Sequence, residues 1–286
     1  MTDLKFIKSG GAELILAPSL GGGIARLDVY GRPLLRPWQG NEKKVFSLAS
    51  NILIPFSNRI SRGGFMWKGM KYTLKPNFKN EIYPIHGDGL YRKWKFISSE
   101  KNKTKMSLLK GGIGPWVYSA IQEFYLSSSQ LKITLSVTNK GTHSLPFGCG
   151  FHPWFPRTQD TKLAFGAKRV WLEDSEHLPS KELYLTKHSS WQFRNLRSLP
   201  SSWINNCYSE WDGKVLIKQG DDSVSCLITA SKNLSHAIVY SPDAASNFFC
   251  FEPASHSIDA LNLPHQPGLK ELKVDETLKA SITISW

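Results

Sequence analysis

Leu131-Lys-Ile-Thr-Leu-Ser-Val-Thr-Asn139 decides the fold class. Apolar residues at 131, 133, 135 and 137 alternate strictly with polar ones, the two-residue period of a strand with one dry and one wet face. Ile282, Ile284 and Trp286 repeat that period at the end of the chain. Phe65-Met-Trp67 and the segment through Tyr72 and Leu74 flank Lys68-Gly69, which reads as a hairpin closed by a tight turn. Two further hairpins are expected. One runs from Trp94 and Phe96 through the polar tip Glu100 to Thr104 and back along Met106 to Leu109; the other joins Lys214 to Ile217 with Val224 to Ile228 across Gly220-Asp221-Asp222.

No stretch of helical period exceeds about two turns. The 22 Gly and 16 Pro punctuate short segments throughout instead of collecting in a linker, and no repeat or composition shift divides the chain. The expected architecture is therefore all-β: a large, mostly antiparallel β-sandwich, formed by residues 1–286 as a single domain. Active residues of such a fold are expected on strand ends and loops over a concave face.

Composition narrows the function. With 41% apolar and 21% charged residues the chain can bury a large core, which excludes a disordered or collagen-like protein. The net charge of +13 raises nucleic acid, anionic membrane and anionic substrate as partners. The basic residues are scattered, without a polybasic block, finger spacing or recognition helix, so neither nucleic acid nor membrane is expected. The cysteines, at 149, 207, 226 and 250, lack metal or disulfide spacing. The N-terminal segment is too polar for a signal peptide, and no apolar run approaches a membrane span. The expectation is a cytoplasmic protein with reduced thiols.

Three segments set an ionisable side chain among apolar, Gly or Pro residues: Tyr83-Pro-Ile-His86-Gly87, Gly148-Cys-Gly150-Phe-His152-Pro153-Trp-Phe155 and Phe248-Phe-Cys-Phe-Glu252-Pro253. A half-buried imidazole is tuned readily across neutrality, so His152 reads as an acid or base. From this segment alone, a core histidine satisfied by one carbonyl is the plainer alternative. Glu252 ends an apolar run and reads as a carboxylate delivered at the tip of a buried strand, where an apolar setting raises its pKa; an exposed strand-end charge is the plain alternative. His86 belongs to a site or a loop. Within Leu53-Ile-Pro-Phe-Ser-Asn58-Arg59-Ile60, the Arg59 fork suits hydroxyls, an anion or an ordinary salt bridge.

In series these segments resemble the aldose 1-epimerase (galactose mutarotase) family. The matching pieces are Pro55-Phe-Ser-Asn58-Arg59-Ile60, Gly64-Phe-Met-Trp67-Lys-Gly69, Ile85-His86-Gly87, Val137-Thr-Asn139, Pro146-Phe-Gly148-Cys-Gly150-Phe-His152-Pro153, and Phe251-Glu252-Pro253. The resemblance implies a galactose mutarotase-like β-supersandwich, a small-molecule sugar substrate, and neither metal nor organic cofactor. It implies His152 as general acid toward the ring oxygen, Glu252 as general base toward the C1 hydroxyl, and Asn58, Arg59 and His86 as sugar-holding residues. Such a pair needs a base that begins ionised and an acid that begins protonated, so the two environments should push the pKa values apart.

Two departures from the family pattern stand out. Where many members carry a sugar-contacting Asp, this chain has Asn205, and Asp212 nearby is a second candidate for that contact. His256 and Asp259, after Glu252, either line the pocket or fix a turn. The net charge leaves open an epimerase for an anionic sugar such as a hexose 6-phosphate, with Arg59, Arg62 and Lys93 as charge partners. A catalytically silent sugar-binding protein on the same scaffold is a further alternative. Glycoside hydrolysis, which wants two carboxylates about the scissile bond, has only one convincing candidate here.

Overall fold

A computed structural model describes residues 3–40, 44–187 and 189–286. The all-β expectation holds: among the described residues there is no α-helix, only short 3-10 turns between strands. Two large sheets carry the structure. One, of nine strands, places Gln130–Asn139 near its centre, between Trp116–Leu126 and Thr277–Ser285, both antiparallel to it. Its alternation does what the sequence pattern requires. Leu131, Ile133, Leu135 and Val137 are buried, and Ile284 and Ile282 stand opposite Leu131 and Ile133 on the same inner face.

The other sheet has eleven strands and includes, side by side, Ser50–Leu53, Gly150–Pro156, Phe248–Ala254, His236–Ser241, Ile204–Ser209 and Arg169–Glu173. Phe151, Phe155, Phe249 and Phe251 point from it into the same core cluster as Leu131 and its neighbours. The sheets thus pack face to face on an apolar interior, as sandwiches do. The three expected hairpins form, with boundaries moved by up to four residues, most in the second, whose return strand runs Lys103–Ile113. Lys68 and Gly69 both take positive φ, the geometry that lets a two-residue turn follow the twist of its strands. No helix among the described residues is long and apolar enough to cross a membrane.

The eleven-stranded sheet matters for function because its far face is not covered by the core. Alternation along Gly150–Pro156 sends Phe151 and Phe155 inward, and therefore His152 and Trp154 outward onto that face. The strand Phe248–Ala254 does the same: Phe249 and Phe251 go inward, Cys250 and Glu252 outward.

Candidate active site

Register brings the two principal residues together. Gly150 pairs with Ala254 and Trp154 with Cys250, so positions 152 and 252 fall opposite each other on adjacent antiparallel strands. Directly opposed side chains on one face start only about 5 Å apart at Cβ. His152 Nε2 lies 3.4 Å from Glu252 Oε1, and both side chains are almost wholly buried. Glu252 is not at a strand tip, as the apolar run suggests, but inside the ladder; Pro253 and Ala254 continue the strand beyond it. His152 stacks on Trp154 at 4.8 Å and 11°, and the Arg36 guanidinium lies 4.0 Å from the centre of the same indole.

A cavity of about 530 Å³ opens over this pair. His86, Asn58, Arg59 and Asn205 also line it, so the chain brings six of the seven expected site residues to one place. Asp212, the seventh, does not line the cavity. It sits after the strand Ile204–Ser209, where its carboxylate accepts the Lys214 N–H and its own N–H donates to the Gly166 carbonyl. His256 and Asp259 prove to be turn-fixing residues. His256 Nε2 accepts the Ser57 N–H and its Nδ1 bonds the Ser257 carbonyl; Asp259 accepts from the N–H and hydroxyl of Ser61. Arg62 and Lys93 are exposed and lie off the cavity.

His86 is held by backbone hydrogen bonds and by edge contacts with the Phe46 and His152 rings. Asn58 and His86 both adopt positive φ and face each other: the Asn58 N–H donates to His86 Nδ1 at 2.9 Å, and the His86 N–H donates to the Asn58 carbonyl at 3.0 Å. Gly87, also at positive φ, packs so closely on the Ile54 carbonyl that an added Cβ would sit 1.9 Å from the oxygen. Only glycine fits there. An Nδ1 that accepts a proton donor leaves the ring proton of a neutral imidazole on Nε2. His86 is therefore a hydrogen-bond donor toward the cavity.

The same bond decides the metal question. His86, His152 and Glu252 offer ligand atoms within 4.8 Å of one another, a geometry that could hold an ion. Ligation through His86 needs a bare Nε2, and the Asn58 N–H forces the proton onto that atom. This triad does not fit a metal.

Arg59 is committed to Glu81 by a two-pronged contact, Nε to Oε2 at 3.0 Å and Nη2 to Oε1 at 2.9 Å. Asn205 donates its Nδ2 to Glu173 Oε2 at 2.6 Å. A carboxylate only accepts, so the amide nitrogen must face Glu173 and Oδ1 becomes the end offered to a ligand. Glu173, His177, Trp154, Trp203, Phe46 and Tyr240 escape sequence reading. Glu173 lies outside the segments that combine charge with apolar or Gly/Pro context, and a lone Trp or Tyr is more often packing than platform. The one usable signal, the apolar run Val170-Trp-Leu172 ahead of Glu173, gives a strand but not a destination.

Burial sets the proton inventory. Loss of solvation raises Glu252 to about 8, with Arg59 opposing the rise, and lowers His152 to about 3, with Arg36 adding to the fall. His86 is likewise held well below its ordinary value by burial. The pKa values of the pair do separate, but opposite to the expectation of an ionised Glu and a protonated His. In a dry site two neutral groups cost less than two charges. Between those limits the pair holds one proton, resting on Glu252. His152 Nδ1, Glu252 Oε2 and Trp154 Nε1 are buried without a protein partner, which leaves them able to bond a ligand in the cavity.

Comparison with known proteins gives the family and the fold. The family model described as Aldose 1-epimerase matches residues 7–285. The uncharacterized protein YphB of Escherichia coli K12 is 32% identical over 263 residues, covering 89% of each sequence. The crystal structure of a candidate aldose 1-epimerase from E. coli K12 has a TM-score of 0.94 at 28% identity, covering 100% of this chain and 99% of that one. A galactose mutarotase-like protein from Clostridium acetobutylicum has a TM-score of 0.84 at 20% identity, covering 98% and 93%. That second likeness speaks to fold alone, and the fold is the galactose mutarotase-like sandwich.

Proposed function

The chain belongs to the aldose 1-epimerase family, and from that premise and the buried His152–Glu252 pair we propose that it is a mutarotase, an isomerase that interconverts the α and β anomers of an uncharged sugar. The observation that carries this reading is the 3.4 Å contact between an imidazole and a carboxylate, both buried, under a cavity lined with donors and aromatic rings.

Opening a hemiacetal requires a proton to leave O1 and another to reach O5. A pair that holds one proton at neutral pH supplies one base and one acid, so neither an alkoxide nor an oxocarbenium ion forms. With Glu252 as base and His152 as acid, opening turns carboxylate and imidazolium into carboxylic acid and neutral imidazole. That product is the proton placement burial favours. Rotation about C1–C2 presents the other carbonyl face, and closure runs the same transfers backward. The short His152–Glu252 contact lets the proton be repositioned between turnovers. Each positioned group contributes roughly 10²–10⁴-fold. His86 donates from Nε2, Asn205 accepts at Oδ1, and Arg59, pinned by Glu81, presents its remaining guanidinium protons to hydroxyls.

An uncharged substrate is favoured over a phosphorylated one by the cavity's own charge. Its lining holds the carboxylates Glu81 and Glu176, beside the protonated Glu252, against one guanidinium, Arg59, already engaged by Glu81. The chain's +13 therefore sits on the outside, where it promotes solubility and not substrate choice. Polarimetry on freshly dissolved α-D-glucose, α-D-galactose and glucose 6-phosphate tests both points. The reading expects acceleration with a neutral sugar and at least tenfold lower kcat/KM with the phosphate. Binding of the neutral sugars without acceleration would instead make the protein a silent binder.

A further inference from the structure

The cavity is larger than one pyranose needs. A hexose has a dozen non-hydrogen atoms, which even at the ~30 Å³ a water molecule claims in its liquid fill no more than about 360 Å³; the cavity measures about 530 Å³. Its floor is the buried group His86, His152, Trp154 and Glu252, whereas the exposed Ser175, Glu176 and Trp203 and the half-buried His177 form a rim. Tyr240 lies between the two regions, with its ring 6.5 Å from Trp154 and 5.2 Å from Trp203.

The rim is built, not incidental. Glu173, whose side chain is 15% exposed, accepts from Trp203 Nε1, from His177 Nδ1 at 2.9 Å and from Asn205 Nδ2 at 2.6 Å. One carboxylate thus spends its acceptor capacity orienting three cavity-lining side chains. His177 stacks on the Trp203 ring at 5.3 Å and 27°, yet Trp203 remains 42% exposed. An indole held at its edge, backed by an imidazole and left open to solvent is a rigid platform, and the apolar face of a sugar ring is a natural partner for it. Asn205 belongs to both regions, because the carboxylate that fixes the rim also turns its Oδ1 toward the ligand.

We propose that this rim is an outer sugar subsite, so that the preferred substrate is the reducing end of an uncharged saccharide of at least two rings. The reducing ring sits over His152 and Glu252 and the next ring stacks on Trp203. The inference rests on the mutarotase reading for the inner ring. Glu173 is a positioning residue in it, and the carboxylates of Glu173 and Glu176 disfavour an acidic second ring.

The test compares α-D-glucose with α-lactose and maltose, which share glucose as the reducing ring. The wild-type protein should show severalfold higher kcat/KM for at least one disaccharide. Trp203→Ala should lower the disaccharide value about tenfold more than the glucose value, and Trp203→Phe, which keeps an aromatic face, should restore most of the difference. Equal loss on mono- and disaccharides would assign Trp203 a purely structural role and overturn the subsite, as would glucose turnover without turnover of either disaccharide. Calorimetric titration separates this from failure of the mutarotase reading. If no sugar mutarotates, tighter binding of a disaccharide than of glucose, lost in Trp203→Ala, still supports the subsite, and equal binding overturns it.

Discussion

Replacing Glu252 with Gln should stabilise the fold, and the gain should grow with pH. Glu252 is fully buried and its carboxyl is raised from an ordinary 4.5 to about 8. Below pH 4.5 the group is protonated in folded and unfolded chains alike, and its favourable contribution is fully present. As pH rises above 4.5 the unfolded chain ionises while the folded one keeps its proton. Stability therefore falls until the folded group also ionises near 8. At 1.36 kcal/mol per pKa unit this interval is worth roughly 5 kcal/mol. His152 works in the opposite direction. Lowered from 6.5 to about 3, it contributes fully above 6.5 and loses that contribution as pH falls toward 3. Between 4.5 and 6.5 the two slopes cancel, because folding converts a carboxylate and an imidazolium into two neutral groups. Urea unfolding of the wild type and Glu252→Gln at pH 4.5, 6.5 and 8 isolates the carboxyl, since other titrating groups subtract out. The stability gap should widen by roughly 4 kcal/mol across that range, because each end of it is a half-titrated point. A gap that stays flat or narrows would mean that Glu252 is ionised in the folded protein, and the placement of the resting proton on Glu252 would be wrong.

The same inventory sets the rate profile: kcat/KM should be level through neutrality and fall above about pH 8 as the pair loses its proton. A loss centred at an ordinary carboxylate value would count against it. Dialysis against EDTA should leave mutarotation unchanged, because the Asn58 N–H keeps the His86 proton on Nε2; loss of activity restored by a divalent ion would contradict that tautomer. Gly87→Ala should cost at least about 2 kcal/mol in urea unfolding, since it combines positive φ with a main-chain clash at the Ile54 carbonyl that no rotamer relieves.

Much of the fold is legible in the sequence because alternation is local. Leu131 to Val137 declare a strand with one buried face without reference to any partner. Pairing is not local. Nothing between residues 153 and 251 announces that Gly150 will sit opposite Ala254, and that register alone brings His152 to Glu252. Family resemblance supplied the two residues; the ladder supplies their contact. The choice between Asn205 and Asp212 was closed to sequence for the same reason. Both follow Ile204 closely, but the first lies in the strand whose neighbour delivers Glu173, and the second lies past its end. The rise at Glu252 was legible in its apolar neighbours, but the fall at His152 and the resulting placement of the proton were not, because they depend on how completely the pair is dried, a property of packing and not of residue type.

The central claim is that one proton passes among His152, Glu252 and the sugar. Its most direct measurement is the decay of optical rotation of fresh α-D-glucose or α-D-galactose with wild type and with Glu252→Gln at neutral pH. The account expects the wild type to hasten the decay and the variant to fall by about 10²–10⁴-fold while still binding sugar. A variant that mutarotates as fast as the wild type would contradict it.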